Sequence, residues 1–180
     1  VLTLPPRQTL PVHYVVTVPE LHEDAPLEGS YWSMLMVEAI PPASPESTLQ
    51  PDEEEPQYGV RQVMRYGVQV ATHLRATGQR TIAFAGSELA REKDGSVALR
   101  LNIENTGSLM VRPDVWVEVY DVQGVSHGRR EGTKTRIYPG TSVQQRIAMN
   151  DLPLGSYKAL VVVDTGGDDV YGAEYTLELR

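Results

Sequence analysis

The chain has 180 residues, a formal net charge of −8 and no cysteine, and 41% of its residues are hydrophobic. This length allows one or two domains, and the apolar fraction is too high for intrinsic disorder. The acidic balance disfavours a nucleic-acid partner, which requires clustered Lys and Arg. No apolar run approaches the about 18 residues of a membrane-spanning helix, so we expect no membrane span. The absence of cysteine is compatible with an oxidising compartment. The first residue is Val1 and not Met, and no charged-then-apolar leader precedes it. We therefore expect that a presequence or a longer N-terminal part has been removed.

Four segments before residue 77 have the Val-, Tyr- and Leu-rich composition of strands and are separated by prolines and glycines. The predicted strands are Val1–Leu4, Pro11–Val18, Ser30–Ile40 and Val60–Leu74. An immunoglobulin-type sandwich has about seven strands, so this first sheet is predicted to be incomplete. An incomplete sheet keeps open edges and exposes part of its core. We therefore expect a segment from outside to complete it.

A proline-rich acidic connection, residues 41–59, separates the last two of these strands. Its four consecutive acidic residues, Asp52–Glu55, lack the spacing of a calcium-binding loop. We predict a solvated loop with no metal site.

The segment 60–74 fits two periodicities. A helical stripe would comprise Val60, Val63, Met64, Gly67, Val68, Ala71 and Leu74. Strict alternation would comprise Met64, Tyr66, Val68, Val70, Thr72 and Leu74. Gly67 costs a helix interior about 1 kcal/mol, and the β-branched Val68 and Val70 favour an extended chain, so we predict a strand. An exposed edge of this strand would offer its backbone hydrogen-bonding groups and apolar side chains to a strand of another polypeptide, as in β-strand addition.

A domain boundary is predicted at Ala76–Gly78, because the most regular alternation begins just after it. We assign residues 1–77 to a partial immunoglobulin-like domain and residues 78–180 to an immunoglobulin-like β-sandwich domain. Alternating segments of the second domain are Val97–Glu104, Val115–Tyr120, Val143–Met149 and Tyr171–Leu179, and Leu160–Val163 is a continuous apolar run. Whether the valines of Val115–Tyr120 or the opposite set with Trp116 faces inward stays open at this point.

The most specific local element is Leu152–Tyr157, in which Gly155 is followed two residues later by Tyr157 at the start of a strand. This arrangement resembles the tyrosine corner of Greek-key sandwiches, where the phenol hydroxyl bonds back to nearby backbone. An ordinary turn with a core tyrosine is the alternative.

The stretch Gly29–Pro42 opens with the aromatic pair Tyr31-Trp32, continues as an apolar strand and ends in two prolines. A long loop, an alternating strand and a second immunoglobulin-like domain follow. This order of elements resembles the PapD-like periplasmic chaperones of pilus assembly.

The resemblance implies that the alternating strand lends apolar side chains to an incomplete pilus subunit, and that a basic residue holds the subunit's C-terminal carboxylate. By position, the apolar side chains supplied to the subunit would be those of Met64, Tyr66, Val68 and Val70. The basic residue would be Arg61 or Arg65, and Gly67 would leave a gap in the ladder.

One segment carries an enzyme-like motif. Asp164-Thr165-Gly166 follows an apolar run, as in aspartic proteases, but that chemistry requires two such aspartates sharing one proton. Only eleven residues follow Asp169, too few for the flap and closing core segment of a retroviral-type protomer. We predict a hairpin turn here, and a hydrolase with an unrecognised set of residues remains an alternative.

Other chemistry lacks a pattern in this sequence. The histidines, His13, His22, His73 and His127, have no metal-ligand spacing, and neither a nucleophile elbow nor a phosphate-binding loop is present. We therefore expect no metal and no cofactor. A basic cluster on a predicted hairpin comprises His127, Arg129, Arg130, Lys134 and Arg136. We interpret it as solvated edge protection, and a contact with an anionic glycan or an acidic protein is the alternative.

These patterns predict an all-β protein of two immunoglobulin-like Greek-key β-sandwich domains, the first incomplete. We expect a non-enzymatic, periplasmic or cell-surface protein that acts as an assembly chaperone or accessory factor of a surface fibre and binds partner subunits by β-strand addition. The alternative is a structural subunit of an extracellular filament or envelope assembly, completed by a strand from a neighbour. That alternative would make the protein a homo-oligomer or a filament.

Overall fold

The computed structural model describes residues 4–19, 21–22, 25–38, 64–74 and 77–180. Over these ranges the chain is all-β, as predicted, and contains no helix, hence none long and apolar enough to cross a membrane. The strands are β1 (Leu21–His22), β2 (Ala25–Pro26), β3 (Gly29–Glu38), β4 (Arg65–Leu74), β5 (Ile82–Arg91), β6 (Val97–Asn105), β7 (Asp114–Asp121), β8 (Ser126–Glu131), β9 (Ser142–Ala148), β10 (Gly155–Asp164) and β11 (Val170–Leu179).

The strands from β5 onward form a β-sandwich of two antiparallel sheets. One sheet has the order β5-β6-β9, and the other has the order β11-β10-β7-β8. The chain changes sheet after β6, after β8 and after β9, which is the kind of connection found in immunoglobulin-like Greek keys. The sandwich predicted for the C-terminal part is confirmed.

The alternating residues of the two sheets meet in one hydrophobic core. Val117 and Val119 of β7 and Val161 and Val163 of β10 are fully buried, and Leu101 of β6 faces them across the sandwich. In a strand successive side chains point to opposite faces, so the valines of β7 point inward and Trp116, Glu118 and Tyr120 point outward. This settles the question that the sequence left open.

The tyrosine corner is confirmed. The hydroxyl of Tyr157 donates a hydrogen bond to the carbonyl of Pro153 at 2.9 Å, and the Tyr157 side chain is buried in the core. The hydrogen bond closes the turn that leads from β9 into β10.

The described N-terminal residues contain a two-stranded sheet of β3 and β4 and the short pairing of β1 with β2. The strand predicted at Pro11–Val18 is wrong, because these residues form no strand in the structure. Alternation determines which side chains share a face, but a strand also needs a neighbour for its backbone groups, and no described strand lies beside this segment. Most of Val1–Leu4 and the first four residues of Val60–Leu74 lie outside the described residues.

The strand predicted within residues 60–74 is confirmed for Arg65–Leu74, so the helical alternative is wrong there. The assignment of residues 1–77 to a partial immunoglobulin-like domain stays a prediction.

Candidate strand-docking site

The antiparallel hairpin of β3 and β4 contains ten consecutive residue pairs, from Gly29 opposite Leu74 to Glu38 opposite Arg65. Directly opposed residues of an antiparallel pair share one face of the sheet. One face, called the apolar face below, carries Tyr31, Ser33, Leu35, Val37, Tyr66, Val68, Val70 and Thr72. The other, called the methionine face, carries Trp32, Met34, Met36, Glu38, Arg65, Gly67, Gln69 and Ala71.

Both faces of the hairpin are open to solvent. Tyr66 and Val68 on the apolar face are 57% and 52% exposed, and Met36 on the methionine face is 60% exposed. Alternating apolar residues in the sandwich are buried against the opposite sheet, but no second layer of the described chain covers this hairpin. The hairpin is therefore the main exposed apolar surface built on strands in the described structure.

The outer edges of the hairpin carry backbone groups that have no partner among the described residues. The amide of Ser30 points away from β4 and donates to the carbonyl of Ser108 at 2.8 Å. Amides alternate between the two sides of a strand, so that of Met34, four residues further along β3, also points away from β4. In the observed register the same alternation directs the amides of Gly67 and Gln69 away from β3. These groups are available to a third strand.

The hairpin edges lack the protection found on the edges of the sandwich. Charged side chains and bulges normally discourage pairing at an edge. Each sandwich edge strand carries charged residues, namely Glu88 and Arg91 in β5, Arg129, Arg130 and Glu131 in β8, Arg146 in β9, and Glu174 and Glu178 in β11. Two of these edges also have register shifts, at Phe84/Gly86 and opposite Glu118/Tyr120. By contrast, residues 31–37 of β3 and 66–71 of β4 contain no charged side chain.

The base of the hairpin is joined to the sandwich through hydrogen bonds of Ser30, whose side chain is buried. Its hydroxyl accepts the Met110 amide at 2.9 Å and lies 2.8 Å from Nδ1 of His73. Gly29, at φ 81°, approaches the backbone so closely that a Cβ there would lie 2.0 Å from the carbonyl oxygen of Ser108. Only glycine fits this contact.

The hairpin contacts the loop after β6 at Ser108 and Met110. A buried asparagine holds this loop in place. Asn105 is fully buried, and its Nδ2 donates to the carbonyls of Leu109 and Ile137, both at 2.9 Å. Its Oδ1 accepts the Gly107 amide at 3.0 Å. The role of Ser30 had no sequence signal, because its partners Met110 and His73 lie 80 and 43 residues away. Asn105 bonds the nearby Gly107 and Leu109, and only its contact with Ile137 is distant along the chain.

Three of the residues predicted to bind a partner lie together on the apolar face, namely Tyr66, Val68 and Val70. Met64 lies just before β4 and is 55% exposed. Arg65 lies on the methionine face, where its Nε donates to Oε2 of Glu38 at 2.6 Å. This carboxylate already neutralises Arg65, which makes it a poorer anchor for a partner's carboxylate. Arg61 lies outside the described residues.

Gly67 does not interrupt the apolar ladder, contrary to expectation. Gly67 lies on the methionine face, where a Cβ would be 2.8 Å from Sδ of Met34 and 3.6 Å from Sδ of Met36. The methionine side chains cover the space that a side chain at this position would fill. The run Tyr66, Val68, Val70 is therefore continuous on its own face.

The enzyme-like motif lies in the β10–β11 hairpin, as predicted. Oδ1 of Asp164 accepts the amide of Gly166 at 2.8 Å, and the Thr165 side chain is buried. The carboxylate thus caps a tight turn. In the described part of the chain, His, Asp and Glu side chains form no group of three that could hold a metal ion.

The basic cluster lies on and after β8, an edge strand of the four-stranded sheet. Four of its five members contact acidic side chains: Arg129 lies 2.6 Å from Glu131, Arg130 lies 2.8 Å from Asp151, Lys134 lies 2.6 Å from Asp114, and the His127 ring lies 3.4 Å from Asp121. Arg129 also lies 3.9 Å from the centroid of the Trp116 ring. This pairing favours edge protection over recognition of an anionic ligand.

Comparison with known proteins adds no relative to this description. Neither the protein-family models nor the curated proteins against which we compared the sequence include a match.

Proposed function

We propose that the β3–β4 hairpin binds another polypeptide by β-strand addition, and that the protein is a non-enzymatic assembly chaperone or accessory factor of a surface fibre. We place it in the periplasm or at the cell surface. The observation that carries this proposal is the contrast between the exposed, uncharged stretches of the hairpin, residues 31–37 and 66–71, whose strands carry charge only at Glu38 and Arg65, and the charged edges of the sandwich.

Physical considerations favour a third strand on this hairpin. A two-stranded ribbon with solvent on both faces is only marginally stable, whereas three strands with a covered face are stable. Carbonyl groups of an added strand would accept hydrogen bonds from the outward-pointing amides of β4, and its side chains would lie beside Tyr66, Val68 and Val70 and reduce their exposure. Because these side chains are already partly covered, we expect each to contribute about 1 kcal/mol on full burial, near half the value for a fully exposed side chain.

The assignment to fibre assembly rests on the resemblance of Gly29–Pro42 and the elements after it to the pilus chaperones. In that scheme a basic residue anchors the terminal carboxylate of the bound subunit. Arg65 is engaged by Glu38, which makes it a weaker anchor, and Arg61 lies outside the described residues.

A second candidate function, a structural subunit completed by a neighbour, is favoured by a different observation. Residues 11–18 have the alternation of a strand, yet they form no strand, and Val12, Tyr14, Val16 and Val18 are exposed. A chain that carries both an unpaired strand-like segment and an open hairpin has the two parts needed for linking copies together.

Co-purification from cells that assemble the fibre tests the proposal. We expect the Val68→Asp and Val70→Asp variants to lose the partner that the wild type retains, because an added strand would bury an unpaired charge. Val125→Asp is the matched control, since Val125 is 57% exposed and lies in the β7–β8 turn of the sandwich. Retention of the same partner by both hairpin variants would refute strand addition at β4.

The stoichiometry of the purified material separates the two candidate functions. A chaperone should form a soluble complex with one partner subunit, and a structural subunit should form a repeating polymer. Mass photometry and electron microscopy of the same preparation distinguish these outcomes.

A further inference from the structure

A second exposed apolar element lies near the N-terminus, between Pro11 and Pro19. The residues between these prolines alternate, with Val12, Tyr14, Val16 and Val18 on one side of an extended chain and His13, Val15 and Thr17 on the other. All seven are exposed, with Val15 at 89%, Val12 at 66% and Tyr14 at 58%. The composition is that of a strand, but the segment has no strand partner among the described residues.

This segment, residues 12–18, fits the open edge of β4 in length and charge. Seven extended residues span about 23 Å at about 3.3 Å each, and the part of β4 without Asp, Glu, Lys or Arg extends over nine residues, Tyr66–Leu74, which is long enough to pair with the whole segment. Neither stretch contains Asp, Glu, Lys or Arg, so pairing them buries no charge. Pairing would also satisfy the free amides of Gly67 and Gln69 and place an apolar side chain beside each of Tyr66, Val68 and Val70.

We propose that residues 12–18 of one copy of this protein add as a strand to the β4 edge of a second copy. This inference rests on the proposed strand addition at the hairpin, identifies a second copy as the occupant and thereby favours the structural-subunit candidate over the chaperone. In the structure the segment does not pair with the hairpin of its own chain, and along the sequence the antiparallel pair of β1 and β2 separates the segment from β3. Because donor and acceptor are different surfaces of one chain, the contact is heterologous and links copies in succession.

Disulfide trapping tests the proposal, since the chain contains no cysteine of its own. Paired residues of neighbouring strands lie close enough for a disulfide between them. One chain carries Val16→Cys, and a second, with a tag that changes its mass, carries Tyr66→Cys, Val68→Cys or Val70→Cys. Testing three acceptor positions on the apolar face accommodates different registers of the donor strand.

On mixing under mild oxidation, we expect a disulfide-linked product between the untagged and tagged chains for at least one acceptor position. Val15→Cys is the matched donor control, because Val15 lies one residue away and points to the opposite face of the strand. It should lose most of the product. Equal product from Val15→Cys and Val16→Cys, or no product at any position, would overturn the pairing. A disulfide that forms only within one chain carrying both cysteines would overturn the second copy as occupant.

Light scattering on the purified protein provides a second readout. We expect the wild type to contain two or more copies at high concentration, and Val16→Asp to be monomeric while Val15→Asp stays associated. A monomeric wild type would contradict the inference. These experiments contain no other protein, so their failure would refute the pairing of two copies and leave the hairpin available to a different partner. If Val68→Asp and Val125→Asp instead retained the partner equally in co-purification from cells, strand addition itself would be refuted.

Discussion

The phenol of Tyr157 donates a hydrogen bond to the carbonyl of Pro153, four residues earlier in the chain. The same ring packs edge-on against His127 of β8, with ring centroids 5.3 Å apart. One side chain therefore closes the turn before β10 and contacts the edge of the sheet.

Replacing Tyr157 by phenylalanine removes this hydrogen bond and keeps the buried ring. We expect the Tyr157→Phe variant to lose about 1 kcal/mol of unfolding free energy, the usual net contribution of one hydrogen bond. Urea denaturation measures the change. Tyr175→Phe in β11 is the control, because no hydrogen bond joins the Tyr175 hydroxyl to the described residues, and a loss of equal size in both variants would contradict the role of the Tyr157 hydroxyl.

The attachment of the hairpin to the sandwich depends on Ser30. The Ser30→Ala variant leaves the amide of Met110 without its acceptor, and an unsatisfied group of this kind costs about 1–3 kcal/mol. We expect faster hydrogen exchange at Met110 and at the base of β3, with the core amides of β7 unchanged. Ser33→Ala, at an exposed position of the same strand, should have no such effect. Unaltered exchange at Met110 would show that another contact holds the hairpin.

The substitutions that block strand addition should not unfold the protein. Val68 is exposed and Val70 is half-buried, and neither belongs to the sandwich core. We therefore expect Val68→Asp and Val70→Asp to change the unfolding free energy of the sandwich by no more than about 0.5 kcal/mol, as is usual for surface positions. Near-UV circular dichroism during thermal unfolding measures this, and a large drop in melting temperature would mean that the hairpin stabilises the sandwich.

Acid should destabilise the sandwich partly through Glu92. The Arg100 guanidinium donates hydrogen bonds to this carboxylate and, with a smaller contribution from Arg146, holds the pKa of Glu92 below its ordinary value of 4.5. A carboxyl whose pKa is lower in the folded state stabilises the protein above its unfolded pKa, and this contribution is lost as pH falls through the folded value. Stability attributable to Glu92 is thus present above about pH 4.5 and disappears below it.

Comparison of Glu92→Gln with the wild type isolates this contribution. We expect the variant to be less stable at neutral pH and to lose less stability on acidification, as measured by urea denaturation from pH 7 to pH 3. The exposed Glu178 of β11 provides a control substitution, Glu178→Gln. Parallel pH profiles for wild type and Glu92→Gln would rule out the ion pair as a source of acid sensitivity.

The motif Asp164-Thr165-Gly166 allows a direct test of protease chemistry. Asn can accept the Gly166 amide in place of the carboxylate, so we expect Asp164→Asn to fold normally, with a stability change below about 0.5 kcal/mol. Asp164→Ala should cost about 1 kcal/mol through loss of this hydrogen bond. We expect no proteolytic activity in the wild type, and any activity abolished by Asp164→Asn would establish an enzyme.

Local patterns in the sequence were sufficient to predict the strands of the sandwich. Alternation along β6, β7, β9 and β11 depends on the two-residue period of an extended chain, so it identifies strands without knowledge of their neighbours. The tyrosine corner was equally accessible, because Tyr157 and Pro153 are only four residues apart and the glycine between them marks the turn.

The pairing of the N-terminal segments could not be predicted from local sequence patterns. Residues 11–18 have as regular an alternation as β6, yet only the latter has neighbouring strands. The positions of Arg65 opposite Glu38 and of Gly67 beneath Met34 follow from the register of β3 and β4, which joins residues on either side of the long acidic connection. Two ion pairs of the basic cluster, Arg130 with Asp151 and Lys134 with Asp114, also join residues from separate turns and strands.

The sequence by itself determined that this chain is all-β and which side chains share a face of each strand, because both follow from the geometry of consecutive residues. The tertiary structure alone decided which strands have neighbours, which apolar faces remain uncovered and which charges are already paired. These properties depend on contacts between residues far apart in the chain, and such contacts leave no periodic signal in the sequence.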